Sequence, residues 1–193
     1  LQIADDLEIE NPVLGFDNLD AETEQESLLC ISHRDMNFAN DIVDDKGNFW
    51  FIDWTHAGED AIEIDFAKME NEIKFVMSKD FSEADLKNLE KFERLLLSSI
   101  SLPDFEALGE EFNFLREDQR FTKIYKLVKL LRKNYVLANP EHKESIYKTA
   151  LLRFSIHTLS FDKRKGRGEC ELPALKYALI SSSIITNQLY AAE

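Results

Sequence analysis

The run from Ile31 to Asp65, ISHRDMNFANDIVDDKGNFWFIDWTHAGEDAIEID, constrains this chain more than any other stretch. It sets His33, Asp35 and Asn40 at the spacing H-x-D-x4-N, and thirteen positions later Asp53 closes the apolar run Phe49-Trp50-Phe51-Ile52. Leu28 to Ser32 is apolar and short, as a strand is. Asp44-Asp45-Lys46-Gly47-Asn48 has turn composition and lies between Ile42-Val43 and Phe49–Ile52. The order predicts a strand, a loop over 33–40 and a hairpin. Because the hairpin folds back, Asn40 and Asp53 approach each other.

These side chains suit phosphoryl transfer. That reaction asks for a carboxylate to orient the acceptor hydroxyl and take its proton, and for oxygen ligands to hold Mg²⁺ on the nucleotide phosphates. Asp35 fits the first role. Asn40 and Asp53 fit the second, since Mg²⁺ takes hard oxygen ligands. The bland readings are a loop-capping Asp35 and a hairpin-bracing pair of Asn40 and Asp53. His33 is expected to hold the loop by hydrogen bonds, and Arg34 to make a local salt bridge. His56, Glu59 and Asp60 fall in a polar connector, Thr55 to Glu59, expected to be exposed. Met36 and Phe38 are expected to pack.

His33-x-Asp35-x4-Asn40, then Ile52-Asp53-Trp54, then Asp65-Phe66-Ala67 together resemble the aminoglycoside phosphotransferase and choline kinase group, a family of protein-kinase-like fold. The resemblance covers residues 28–75. It implies ATP and Mg²⁺, with Asp35 as catalytic base and Asn40 and Asp53 as metal and nucleotide ligands. Asp65 would be the buried Asp that brace the catalytic loop; the residues alone leave a helix N-cap open. Trp50 to Asp53 and Asp65 to Phe75 also resemble the kinase-like ternary complex associated domains of bacterial NTPase-linked signalling proteins.

The departure from that pattern is large. The six glycines make no Gly-rich loop: Gly166-x-Gly168 lies far past the catalytic motif and has Glu171 where a third Gly would stand. The first lysine is Lys46, so no strand-borne Lys precedes the motif. The nucleotide-covering lobe is therefore expected to be absent, and the start at Leu1 fits a fragment. The fold expected is α+β and mostly helical: the carboxyl-terminal lobe of a kinase-like fold, with the catalytic hairpins in 1–80 and a helical subdomain in 81–193. Alone it would lack most of the ATP grip.

Charge narrows the partners. The formal net charge is −14, which disfavours nucleic acid and anionic membranes. No apolar run approaches the roughly 20 residues that span a bilayer. Cys30 and Cys170 match no metal or redox spacing, and the acidic start is no signal peptide, so a cytoplasmic protein with reduced thiols is expected. Fourteen Phe and two Trp are expected to supply large buried groups.

Residues 1–27 read as acidic loop. A helix is predicted from about Ala61 to Ser78, its buried stripe being Ile62, Phe66, Met69, Ile73 and Val76. Ser82-x-x-Asp85 is a capping box ahead of a helix to about Ser99, striped by Leu86, Leu89, Phe92 and Leu96. A short helix is predicted around Phe105 to Phe114. Ile124, Leu127, Val128 and Leu131 stripe the next, with Lys123, Lys126 and Lys133 on its solvated face. Asn139-Pro140-Glu141 reads as the start of a helix carrying Ile146, Tyr147, Ala150, Leu151 and Phe154, with a structural His157 late on it. KRKGRG, 163–168, reads as an exposed basic loop, and a last helix as Pro173 to Tyr190.

The short connector after Asp53, without an A-P-E signature, favours a small-molecule hydroxyl acceptor over a protein substrate. The alternative is a non-catalytic signalling module that meets a protein partner through the helical subdomain.

Overall fold

The computed structural model describes residues 1–12, 27–76, 80–162 and 171–190. Within these the chain is α+β and mostly helical. Three two-stranded antiparallel ribbons come first: β1 (Gln2–Ala4) with β2 (Leu7–Glu8), β3 (Leu29–Ser32) with β6 (Gly58–Ala61), and β4 (Asp41–Val43) with β5 (Phe49–Phe51). The helices follow: α1 (Glu63–Asn71), α2 (Leu86–Leu96), α3 (Asn113–Glu117), α4 (Gln119–Ala138), α5 (Glu144–Thr158) and α6 (Leu172–Tyr190). Residues from both sides of position 80, among them Ile3, Leu7, Ile64, Leu89, Tyr147 and Ile185, share one hydrophobic core.

The hairpin turns as expected, with Gly47 at φ 78° and Asp44 accepting the amides of Lys46 and Asn48. The capping box also forms, Asp85 receiving the Ser82 amide at 2.7 Å, and the stripe Leu86, Leu89, Phe92 and Leu96 is buried. Elsewhere the chain departs from the expected elements. Residues 1–12 hold the β1–β2 ribbon, which buries Ile3 and Leu7 in the core. The connector after Asp53 becomes a 3₁₀ turn, Trp54–His56, followed by β6, which pairs Gly58 to Ser32 and Ala61 to Leu29. Gly-Glu-Asp-Ala has poor strand propensity; pairing with β3 overrides it. The region around 105–114 forms two 3₁₀ turns and then α3. Asn139 to Glu141 lies before the helix, which starts at Glu144, and His157 lies exposed, edge-on to Phe161. Residues 13–26 and the KRKGRG segment, 163–168, lie outside the described residues.

The expected burial of α1 needs the largest correction. Ile73 is buried as expected, but Ile62, Phe66 and Met69 are only half-buried and Val76 is exposed. The deep face is Ile64, Ala67, Glu70 and Asn71, continued by Lys74 in the π-helical turn Glu72–Val76. Charge reaches the core here because it is neutralised there. Arg132 clamps Glu70 with two bonds of 2.7 Å, and Lys74 Nζ meets Glu93 at 2.6 Å. The Tyr147 hydroxyl donates to Glu70, and those of Tyr177 and Ser181 donate to Glu93. A buried charge persists only when paired and hydrogen-bonded in this way. Both tryptophans are exposed, not buried, because they lie on the β5 ribbon and the turn after it.

Candidate functional site

β3 delivers the chain into the loop 33–40, and α1 fixes the loop from behind. The Asp65 carboxylate accepts the backbone N–H of His33 at 2.6 Å and of Arg34 at 2.8 Å. Asp65 stands inside α1, so the N-cap alternative is set aside. Arg34 has φ 67°, a left-handed backbone that costs a non-glycine residue of order 1–3 kcal/mol. The two bonds from Asp65 offset that strain. The guanidinium adds Nε to Asp60 at 2.9 Å and a bond to the Glu59 carbonyl, the local pairing expected of it. Gly58 makes room: a Cβ there would come within 2.9 Å of the Arg34 guanidinium.

His33 is buried and structural. Its Nε2–H donates to the Ile52 carbonyl at 2.8 Å, and its ring lies 4.8 Å from that of Trp54. Asn37 bridges the loop internally, donating to the Asp35 carbonyl and accepting from Ala39. Asn40 joins the two halves of the site. Its Nδ2 donates to the Asp35 carbonyl at 2.8 Å and reaches the Asp35 carboxylate at 3.4 Å. Its own carbonyl accepts the Ile52 amide at 2.9 Å, extending the β4–β5 register by one step. Asp53 is the next residue, so the fold-back sets Asn40 beside the strand end that carries Asp53.

Asp53 also has a left-handed backbone, φ 58° and ψ 57°. Its carboxylate is exposed and accepts the Thr55 hydroxyl at 2.5 Å. That hydrogen bond, with the Thr55 amide and the nearby His56 and His33, holds the carboxyl below its usual range. The Asn40 amide nitrogen is committed to Asp35, which leaves Oδ1 as the acceptor for a cation. These are hard oxygen donors, and they fit Mg²⁺. Among the described residues, no group of three or more His, Cys, Asp or Glu is gathered as a metal cluster. A Mg²⁺ at Asn40 and Asp53 would fill its shell with phosphate oxygens and water.

Asp41 and Thr55 carried no expected role. Asp41 opens β4 with one carboxylate oxygen buried and unpartnered; burial pushes its carboxyl up, and His33 opposes that. A charged residue at the head of an apolar strand was the available signal. Phe38 is exposed rather than packed, while Met36 lines a cavity of about 480 Å³ with Phe49, Phe51, Phe66 and Met69. Lys123, Lys126 and Lys133 stay on a solvated face. Among the described residues no helix is long and apolar enough to cross a membrane.

The profile of the family described as ternary complex associated domain 9 matches residues 1–160. No curated protein and no solved structure matches the chain. The match spans most of the sequence, and the chain belongs to that family.

Proposed function

We propose that this ternary complex associated domain 9 protein is the acceptor- and metal-binding lobe of an ATP- and Mg²⁺-dependent phosphotransferase of kinase-like fold. One observation carries the reading: Asn40 bonds Asp35 through its side chain and the strand leading to Asp53 through its backbone. A single residue thereby ties a candidate base to a candidate metal carboxylate. In this reading Asp35 orients the acceptor hydroxyl and takes its proton as the oxygen attacks. Asn40 and Asp53 hold Mg²⁺, which when bound neutralises charge on the phosphate oxygens. Asp65 and His33 keep the loop in place and touch neither reactant. Asp53 is followed at once by the turn Trp54–His56 and by β6, which leaves no long segment for a protein substrate to order. A small-molecule hydroxyl acceptor suits that arrangement, and the use of ATP suits a cytoplasmic setting. The test is transfer by the full-length protein: Asp35→Ala and Asp53→Ala should each abolish it, and full activity in either would remove the assignment.

A second reading is a signalling or interaction module without transfer. The family's description as ternary complex associated favours it, since that wording points to protein partners.

A further inference from the structure

The ribbons that carry the loop also carry apolar side chains that the fold leaves uncovered. Ile31 is 73% exposed, Phe49 52% and Phe51 40%. They border the cavity of about 480 Å³, whose far wall is Phe66 and Met69 of α1 and Leu131 of α4. Phe49 and Phe51 meet edge to face with centroids 4.9 Å apart, so this wall is a packed pair rather than two separate rings. On the opposite face of the hairpin, Ile42 and Trp50 stand opposite each other in register, both exposed. The exposed patch of Ile31, Phe49 and Phe51 at the mouth of a cavity marks a place where something docks.

Charge narrows what docks. Of the nine carboxylate side chains in residues 28–65, Glu63 is buried on Tyr135 and Asn139, Asp65 is held by the loop amides and Asp60 is paired with Arg34, which leaves Asp35, Asp41, Asp44, Asp45, Asp53 and Glu59 against Lys46. Nucleic acid and anionic lipid are repelled by such a face. So is a second copy of a chain with net charge −14. We propose that this face docks a basic protein segment whose aliphatic or aromatic side chains enter the cavity between β5 and α1, while flanking Lys or Arg side chains meet hairpin carboxylates such as Asp44 and Asp45. The surface lies where the ribbons meet α1 and α4, and it holds whether or not the loop 33–40 transfers phosphate.

The chain supplies its own reporter, because Trp54 is exposed and its ring stands edge-on to Phe51 of the cavity wall, 6.5 Å between centroids. The probe is a synthetic amphipathic Leu/Lys peptide, with a Leu/Glu peptide of the same pattern as control. Titration of the intact chain with the Leu/Lys peptide should give a saturable blue shift, and the Leu/Glu peptide none. Ile31→Ser should weaken binding about tenfold or more, as loss of a central apolar anchor does. Ile31 is so exposed that its replacement leaves the fold intact, as circular dichroism should show; Phe49→Ser is the second variant. Glu110→Gln with Glu111→Gln, on the exposed turn before α3, should leave affinity unchanged. Equal affinity in the Ile31→Ser and Glu110/Glu111 variants would mean plain charge attraction and overturn the proposal. Equal binding of the Leu/Glu peptide, or a wild-type dimer in sedimentation that Ile31→Ser dissolves, would overturn it as well.

Discussion

Asp65 Oδ2 takes the backbone N–H of His33 at 2.6 Å, across a separation of 32 residues. With the matching bond to Arg34, this contact makes α1 the support of the loop 33–40 and lets Arg34 keep a left-handed backbone. The loop therefore depends on a residue that lies outside it, on α1.

Asp65→Asn keeps the shape but replaces one acceptor oxygen with an N–H₂ that faces an N–H. One loop amide loses its partner, which costs about 1–3 kcal/mol. Urea unfolding should show that loss, and hydrogen exchange should show the amides of His33 and Arg34 exchanging faster while those of α4 do not. Unchanged exchange at both amides would contradict the bracing role.

Arg132→Met leaves Glu70 buried without its main counter-charge, a change expected to cost about 3–5 kcal/mol. Replacing both, Glu70→Leu with Arg132→Met, removes the orphaned charge and should cost less. The pair also sets a pH dependence. Burial alone would raise the Glu70 carboxyl, but Arg132 and then Lys74 outweigh it and bring the group below its ordinary range. A depressed carboxyl contributes its full stability above the unfolded value, about 4.3. That contribution is lost as pH falls through the lower folded value. Stability measured by denaturant should therefore drop more steeply with acid below about pH 4 in the wild type than in the double variant.

Cys30 lies on the wall of the cavity. Burial, and then repulsion from Asp65, Glu63 and Asp60, pushes its thiol up. In a Cys170→Ser background, alkylation by iodoacetamide should show a midpoint above the usual thiol value of about 8.5. A midpoint at or below that value would contradict the burial of this thiol beside Asp65, Glu63 and Asp60.

The strand, the loop and the hairpin were legible because turn composition and short apolar runs act over a few residues. Asp44, Gly47 and Asn48 dictate their turn locally. The loop motif was legible for the same reason, as spacing alone sets Asn40 next to Asp35. What escaped depends on distant partners. β6 exists because β3 pairs with it, and nothing in Gly58 to Ala61 announces a strand. The inward face of α1 escaped because hydropathy counts Glu70 and Lys74 as surface residues, while Arg132 and Glu93, far along the chain, make them interior ones. The exposed tryptophans escaped in the opposite sense: an aromatic run reads as core unless a hairpin with two open faces carries it.

The proposed phosphotransferase requires Asn40 and Asp53 to hold a divalent ion against nucleotide phosphates beside Asp35. Mn²⁺, which shares the carboxylate preference of Mg²⁺ and broadens nearby amide resonances, tests it most directly. With ATP present, substoichiometric Mn²⁺ should broaden the amides of residues 35–41 and 52–55 selectively, and Asp53→Asn should abolish that selectivity while leaving the fold unchanged. Broadening spread evenly over the acidic surface, or the same pattern in Asp53→Asn, would rule out a divalent-ion site at Asn40 and Asp53.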